Sequence, residues 1–132
     1  MNIKDFAEKY IKAITEAWQN GNFDLLQVIE DTNVKYHLAG GQEGTGGFEG
    51  HKQFLATSRE ALSEFKQEWK YLTGDGNVFV VSVKMSGRIK KEIPVYQVPV
   101  GKFVSNDSMF VFRLGKGKIV ESWESSSSVI LD

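Results

Sequence analysis

Apart from one short strand, the hydrophobic period of this chain is 3.6 residues ahead of Lys66 and 2 residues beyond it, and that switch restricts the fold more than any other feature. Ile3, Phe6, Ala7, Tyr10, Ile11, Ile14, Ala17 and Trp18 recur at steps of three and four, which sets them on one stripe of an amphipathic helix. Asn20-Gly21-Asn22 stops it, because glycine tolerates a left-handed cap, and Asn22 can cap a second short helix carrying Phe23, Leu25, Leu26 and Ile29. Asp31-Thr32-Asn33 closes that helix, and Val34, Tyr36 and Leu38 alternate with Lys35 and His37 in a short strand, with His37 facing away from Tyr36. A third helix is predicted from His51 to Lys66 on Phe54, Leu55, Ser58, Ala61, Leu62 and Phe65. The remainder reads as strands: Trp69 to Thr73, Val78 to Arg88, Val98 to Val104, Ser108 to Leu114 and Ile119 to Leu131, with hairpin turns at Asp75-Gly76 and Gly115-Lys116-Gly117. Helices first and antiparallel strands afterwards is the α+β pattern, in which the helices cover one face of a curved sheet.

A length of 132 residues at 14.8 kDa fits one domain spanning residues 1–132, and 41% hydrophobic residues can supply its core. A net charge of -1 provides no basic field for nucleic acid, and the patch of Lys90, Lys91 and Lys102 is too short to make one. Without cysteine there are no disulfides, thiolate nucleophiles or sulfur-ligated metals, and with His37 and His51 fourteen positions apart no metal site is expected. No apolar run approaches the roughly 18 residues of a membrane span and the first residues do not read as a signal peptide, so a cytoplasmic protein without membrane contact is expected. Six of the thirteen glycines fall between Ala39 and Gly50, a candidate mobile loop or lid. Gly44-Thr45-Gly46-Gly47 lacks the Gly-Lys-Ser/Thr ending of a phosphate loop, and Glu43 and Glu49 would repel phosphate.

Several stretches carry a resemblance. They are Ala17-Trp18, Gly21-Asn22-Phe23, the strand Val34-Lys35-Tyr36-His37 and Gly47-Phe48-Glu49-Gly50, then Pro99-Val100-Gly101-Lys102, Phe110-Val111-Phe112-Arg113 and Gly117-Lys118-Ile119-Val120-Glu121-Ser122-Trp123. In this order and spacing the chain resembles the SnoaL-like polyketide cyclases of the nuclear-transport-factor-2-like, ketosteroid-isomerase-like superfamily. The resemblance implies a cone-shaped fold, with helices packed on a strongly curved antiparallel or mixed sheet around an apolar pocket. It also implies cofactor-free proton transfer on a carbonyl substrate, and pocket walls drawn from Trp18, Tyr36, Phe54, Tyr96 and Trp123. The alternative for each is core packing, the commoner role of an aromatic at core spacing.

Two acid–base candidates follow from the residues. Glu121 shares a face of the last strand with Ile119 and Trp123 by period two, and the alternative is a carboxylate turned to solvent. His37 titrates near neutral pH, the alternative being an exposed strand-end histidine. The cyclase pattern is departed from twice: the acid after the last-strand tryptophan falls within Ser125 to Ser128, and the histidine before the proline loop falls at Arg88-Ile89-Lys90. Ser125 and Ser127, lacking a histidine relay, are expected to line the pocket as polar groups. Two functions stay open: a cofactor-free isomerase, cyclase or hydratase acting on a small apolar metabolite, or a non-catalytic binding or interaction module. A homodimer through the sheet face is expected under both, because Met109 to Phe112 and Val78 to Val83 carry apolar residues on both faces.

Overall fold

A computed structural model describes residues 2–93 and 98–132. The first helix, α1 (Ile3–Asn20), opens where Asn2 Oδ1 accepts the Asp5 N–H at 2.8 Å and closes at Gly21, whose φ of 67° lets its N–H reach back to the Ala17 carbonyl. Its stripe of Phe6, Tyr10, Ile14 and Trp18 is buried as the periodicity predicts. A short α2 (Asp24–Ile29) leads into β1 (Glu30–His37), and α3 (Gly47–Ala61) follows the glycine loop, in which Ala39–Gly41 forms a 3₁₀ turn. Four long strands then run as a meander: β2 (Leu62–Asp75), β3 (Val78–Ile89), β4 (Phe103–Gly115) and β5 (Lys118–Ile130).

The sheet order is β1-β5-β4-β3-β2, with β1 parallel to β5 and every other pair antiparallel. Register shifts interrupt β2 between Ser63 and Lys66 and between Tyr71 and Thr73, and the β4–β5 pair beside Arg113. Such bulges increase local twist, which lets long strands curl round the helices as the cone fold requires. Within the curl, Phe79 and Phe112 are fully enclosed and stack at 5.0 Å, with Tyr10 4.5 Å from Phe112. Burial of each phenylalanine stabilises by about 2–3 kcal/mol. Arg59 ties the helices together, donating from Nε to the Trp18 carbonyl at 2.6 Å at the open end of α1.

Four expectations need correction. The third helix starts at Gly47 and ends at Ala61, so Leu62 and Phe65 belong to β2. Asp31-Thr32-Asn33 does not lie outside the sheet: it is an irregularity inside β1, where Asp31 Oδ2 accepts the Asn33 N–H and the register to β5 shifts between Glu30 and Lys35. No strand spans Val98 to Val104, because β4 begins at Phe103 and the chain turns before it, with Gly101 at φ 96° donating its N–H to the Ile89 carbonyl. Finally, Ile119 and Glu121 do not share a face. Leu114 pairs with Ile119 and Arg113 with Glu121, so Val120 is an extra residue that reverses the alternation. Ile119 is fully buried inside, whereas Glu121 and Trp123 lie outside.

Candidate functional site

Helix α3 sets His51, Phe54 and Ser58 on one face at steps of three and four, and that face meets the inner surface of the sheet. Beyond the β5 bulge the even-numbered residues point inward, so Ser122, Glu124, Ser126 and Ser128 face the helices. Between α3 and the sheet lies an apolar cavity of about 80 Å³, walled by Trp18, Phe54, Phe65 and Met85. Its polar members are Ser58, Ser86, Asn106 and Ser128. Asn106 Nδ2 donates to Ser126 Oγ at 2.8 Å and to Ser128 Oγ at 2.7 Å, while its Oδ1 accepts from Ser108 at 2.6 Å. Ser58 Oγ, by contrast, is buried with no hydrogen-bond partner.

A second cleft of about 190 Å³ lies between the glycine loop and the start of α3, lined by Tyr36, Leu38, Glu43, Thr45, His51 and Phe54 among others. Phe54 therefore borders both spaces. Behind this cleft the Glu30 carboxylate, with a side chain 0% exposed, accepts the Tyr36 hydroxyl and stands 3.0 and 3.1 Å from His51 Nδ1. The Tyr36 oxygen is itself 2.8 Å from that nitrogen. Burial and then the Glu30 charge push the Tyr36 hydroxyl well above the ordinary tyrosine range, so Tyr36 remains a proton-bearing phenol. Glu124 Oε1 accepts the Ala39 N–H at 3.2 Å, and burial raises its carboxyl above the usual range against the opposing pull of Ala39, His51 and Ser108.

His37 and Glu121 do meet, at 2.7 Å through Nε2, but on the outer face of the sheet, where their side chains are 32% and 19% exposed. His37 Nδ1 also lies 2.7 Å from Glu43, so only the imidazolium satisfies both carboxylates, and Glu43 followed by Glu121 raises its pKa. Arg113, 2.8 Å away, and then His37 hold the Glu121 carboxyl below its ordinary range, the opposite of what abstraction of a carbon-bound proton asks of a base. Trp123 stacks on His37 at 5.3 Å and is 39% exposed, so it lines no interior wall. Ser125 and Ser127 border an open outer groove, and Ser126 and Ser128 are the serines that face inward. Of the aromatic wall candidates, Trp18 and Phe54 line the apolar cavity and Tyr36 the second cleft. Tyr96 lies outside the described residues.

Glu30, His51 and Glu124 were not singled out from the sequence. Stepping by twos from Tyr36 back through Val34 reaches Glu30, and stepping back along α3 from Ser58 and Phe54 reaches His51, so a signal for both was present. Glu124 was hidden by the bulge.

The SnoaL-like polyketide cyclase family model matches residues 8–129. No curated protein matches the chain. TsrD from Streptomyces laurentii is 14% identical with a TM-score of 0.80, covering 96% of this chain and 91% of its own. A SnoaL-like polyketide cyclase from Agrobacterium tumefaciens is 18% identical with a TM-score of 0.72, covering 92% and 90%. An NTF2-like protein of unknown function from Exiguobacterium is also 18% identical, at a TM-score of 0.68 and coverages of 92% and 97%. At these identities the solved structures establish the cone fold alone. The family model runs from α1 to the end of β5, over helices, cavity and sheet alike, and so this chain belongs to the SnoaL-like polyketide cyclase family.

Proposed function

We propose that the protein binds a small, neutral, mostly apolar molecule with one hydroxyl or carbonyl group in the cavity between α3 and the sheet. The observation that carries this reading is the unpaired Ser58 hydroxyl in a mostly apolar lining. A buried hydroxyl without a partner forfeits about 1–3 kcal/mol, which a ligand oxygen recovers. Walls of aromatic and aliphatic side chains with few polar groups are the usual make-up of a small-molecule site. The Agrobacterium relative is named a polyketide cyclase, a role that also needs a small-molecule pocket.

Phenol is expected to bind more tightly than toluene, with NMR shifts centred on Trp18, Phe54 and Ser58. Ser58→Ala should weaken phenol about tenfold, the worth of one hydrogen bond, and leave toluene unchanged. Equal affinities of phenol and toluene for the wild type, or shifts confined to the outer face, would rule the reading out.

We further propose that a second copy of the chain covers the outer sheet face. The groove there carries Glu68 and Asp107 beside Lys70 and Lys84, with exposed Met109 in the same groove and exposed Trp123 on the same face. Both signs within one patch let a two-fold arrangement set acid against base. Sedimentation at low micromolar concentration should show about twice the 14.8 kDa chain mass, shifting to monomer in Lys84→Glu. A single 14.8 kDa species in the wild type argues against the dimer.

A further inference from the structure

The second cleft ends on a group that the binding reading does not use. Glu30 is an acceptor enclosed on all sides, with the Tyr36 hydroxyl and His51 Nδ1 as its two neighbours. Both must donate to it, so Nδ1 carries the ring proton and Nε2 keeps its lone pair. No hydrogen bond among the described residues engages Nε2, and the His51 side chain, 13% exposed, lines the cleft. A carboxylate behind an imidazole fixes the tautomer and stabilises the imidazolium that forms when the far nitrogen takes a proton.

We infer that His51 is a general base, with Glu30 as its positioning residue, acting on a small neutral carbon acid held in the cleft under the glycine loop. The class of substrate follows from the surroundings. Glu30 stands behind the ring, the lining Tyr36, Leu38, Glu43, Thr45, His51 and Phe54 offers no lysine or arginine to pair an anion, and Leu38 and Phe54 are apolar walls. A proton next to a carbonyl leaves carbon slowly in water, so its transfer is a step that a positioned base speeds measurably. In the step, the C–H bond next to a carbonyl breaks and its electron pair stays on the substrate as an enolate. The proton passes to Nε2, the charge on the ring is balanced by Glu30, and the proton returns to the same or a neighbouring carbon without any oxidant or reductant.

Exchange of the α-protons of cyclohexanone in D₂O, followed by NMR, tests this with a neutral ketone as the probe. The wild-type protein should accelerate exchange over buffer, and His51→Gln should lose on the order of a hundredfold of that rate. Ser127→Ala, in the outer groove away from the cleft, should stay within about twofold of wild type. Glu30→Gln should lower kcat while KM for cyclohexanone stays within about twofold, because the ring loses the charge that balances the proton it takes up. A merely structural role for Glu30 would raise KM along with the loss of kcat. Exchange at the buffer rate in wild type, or equal rates in wild type and His51→Gln, overturns the assignment. Phenol binding in folded His51→Gln keeps this result separate from the cavity bounded by Ser58.

Discussion

Replacing Gly50 by alanine is expected to lower the unfolding free energy by about 3 kcal/mol, although helix propensity alone favours alanine by about 1 kcal/mol at such a position. Gly50 lies inside α3 with an ordinary helical backbone, so an alanine there should be welcome. A Cβ at that place, however, would stand 1.8 Å from the Thr45 carbonyl oxygen. No rotamer relieves contact with a backbone atom, so either the loop or the first turn of α3 must move. Gly47, one turn earlier, is pressed in the same way, with a Cβ position 2.1 Å from the Thr32 carbonyl. The glycines thus let α3 seat directly against β1 and its entry loop, which brings His51 to Glu30. Gly76→Ala is the comparison: its φ is 59° in open space, and the backbone penalty should be about 1 kcal/mol. Urea unfolding of the two variants decides it, and a Gly50→Ala protein as stable as wild type would show that the loop yields freely.

The same pair of glycines illustrates what the sequence discloses. Their density between Ala39 and Gly50 reads as chain freedom, and Gly40 and Gly41 do take positive φ with nothing nearby. Gly47 and Gly50 serve the opposite need, close approach, Gly50 to the Thr45 carbonyl of the entry loop and Gly47 to the Thr32 carbonyl of β1, and the second of these no local pattern reveals. Helix α1 was legible because one stripe of Phe6, Tyr10, Ile14 and Trp18 meets one core, and the β4–β5 hairpin because Lys116-Gly117 takes the positive φ values of a tight turn. Alternation along β5 was legible only up to Ile119. A bulge adds one residue without any change in composition, and that residue exchanged inside for outside over the rest of the strand. Glu121, Trp123 and Ser125 therefore moved to the outer face together, while Glu124 moved inward. His37 and Glu121 meet on the outer face of the sheet, a juxtaposition that depends on the parallel pairing of β1 with β5.

Glu30→Ala is expected to cost about 3 kcal/mol, and most of that would come from what is left behind rather than from the bond removed. The carboxylate is fully enclosed and takes donors from Tyr36 and His51; without it the His51 N–H can turn to the Tyr36 oxygen 2.8 Å away, but the Tyr36 hydroxyl proton is left with no acceptor. Tyr36→Phe removes one donor while Glu30 keeps the other, and should cost about 1 kcal/mol. If the three groups form one unit, the double variant Glu30→Leu/Tyr36→Phe will lose less than the sum of Glu30→Leu and Tyr36→Phe, by about 1–2 kcal/mol, because the hydroxyl orphaned by the first change is deleted by the second. Leucine also fills volume that alanine leaves empty, so Glu30→Leu separates cavity formation from polar loss. Denaturant unfolding of the four proteins in this cycle gives the coupling directly. Strict additivity would mean that Glu30 and Tyr36 act independently, and the orientation of His51 would then rest on the Nδ1 contact with Glu30 alone.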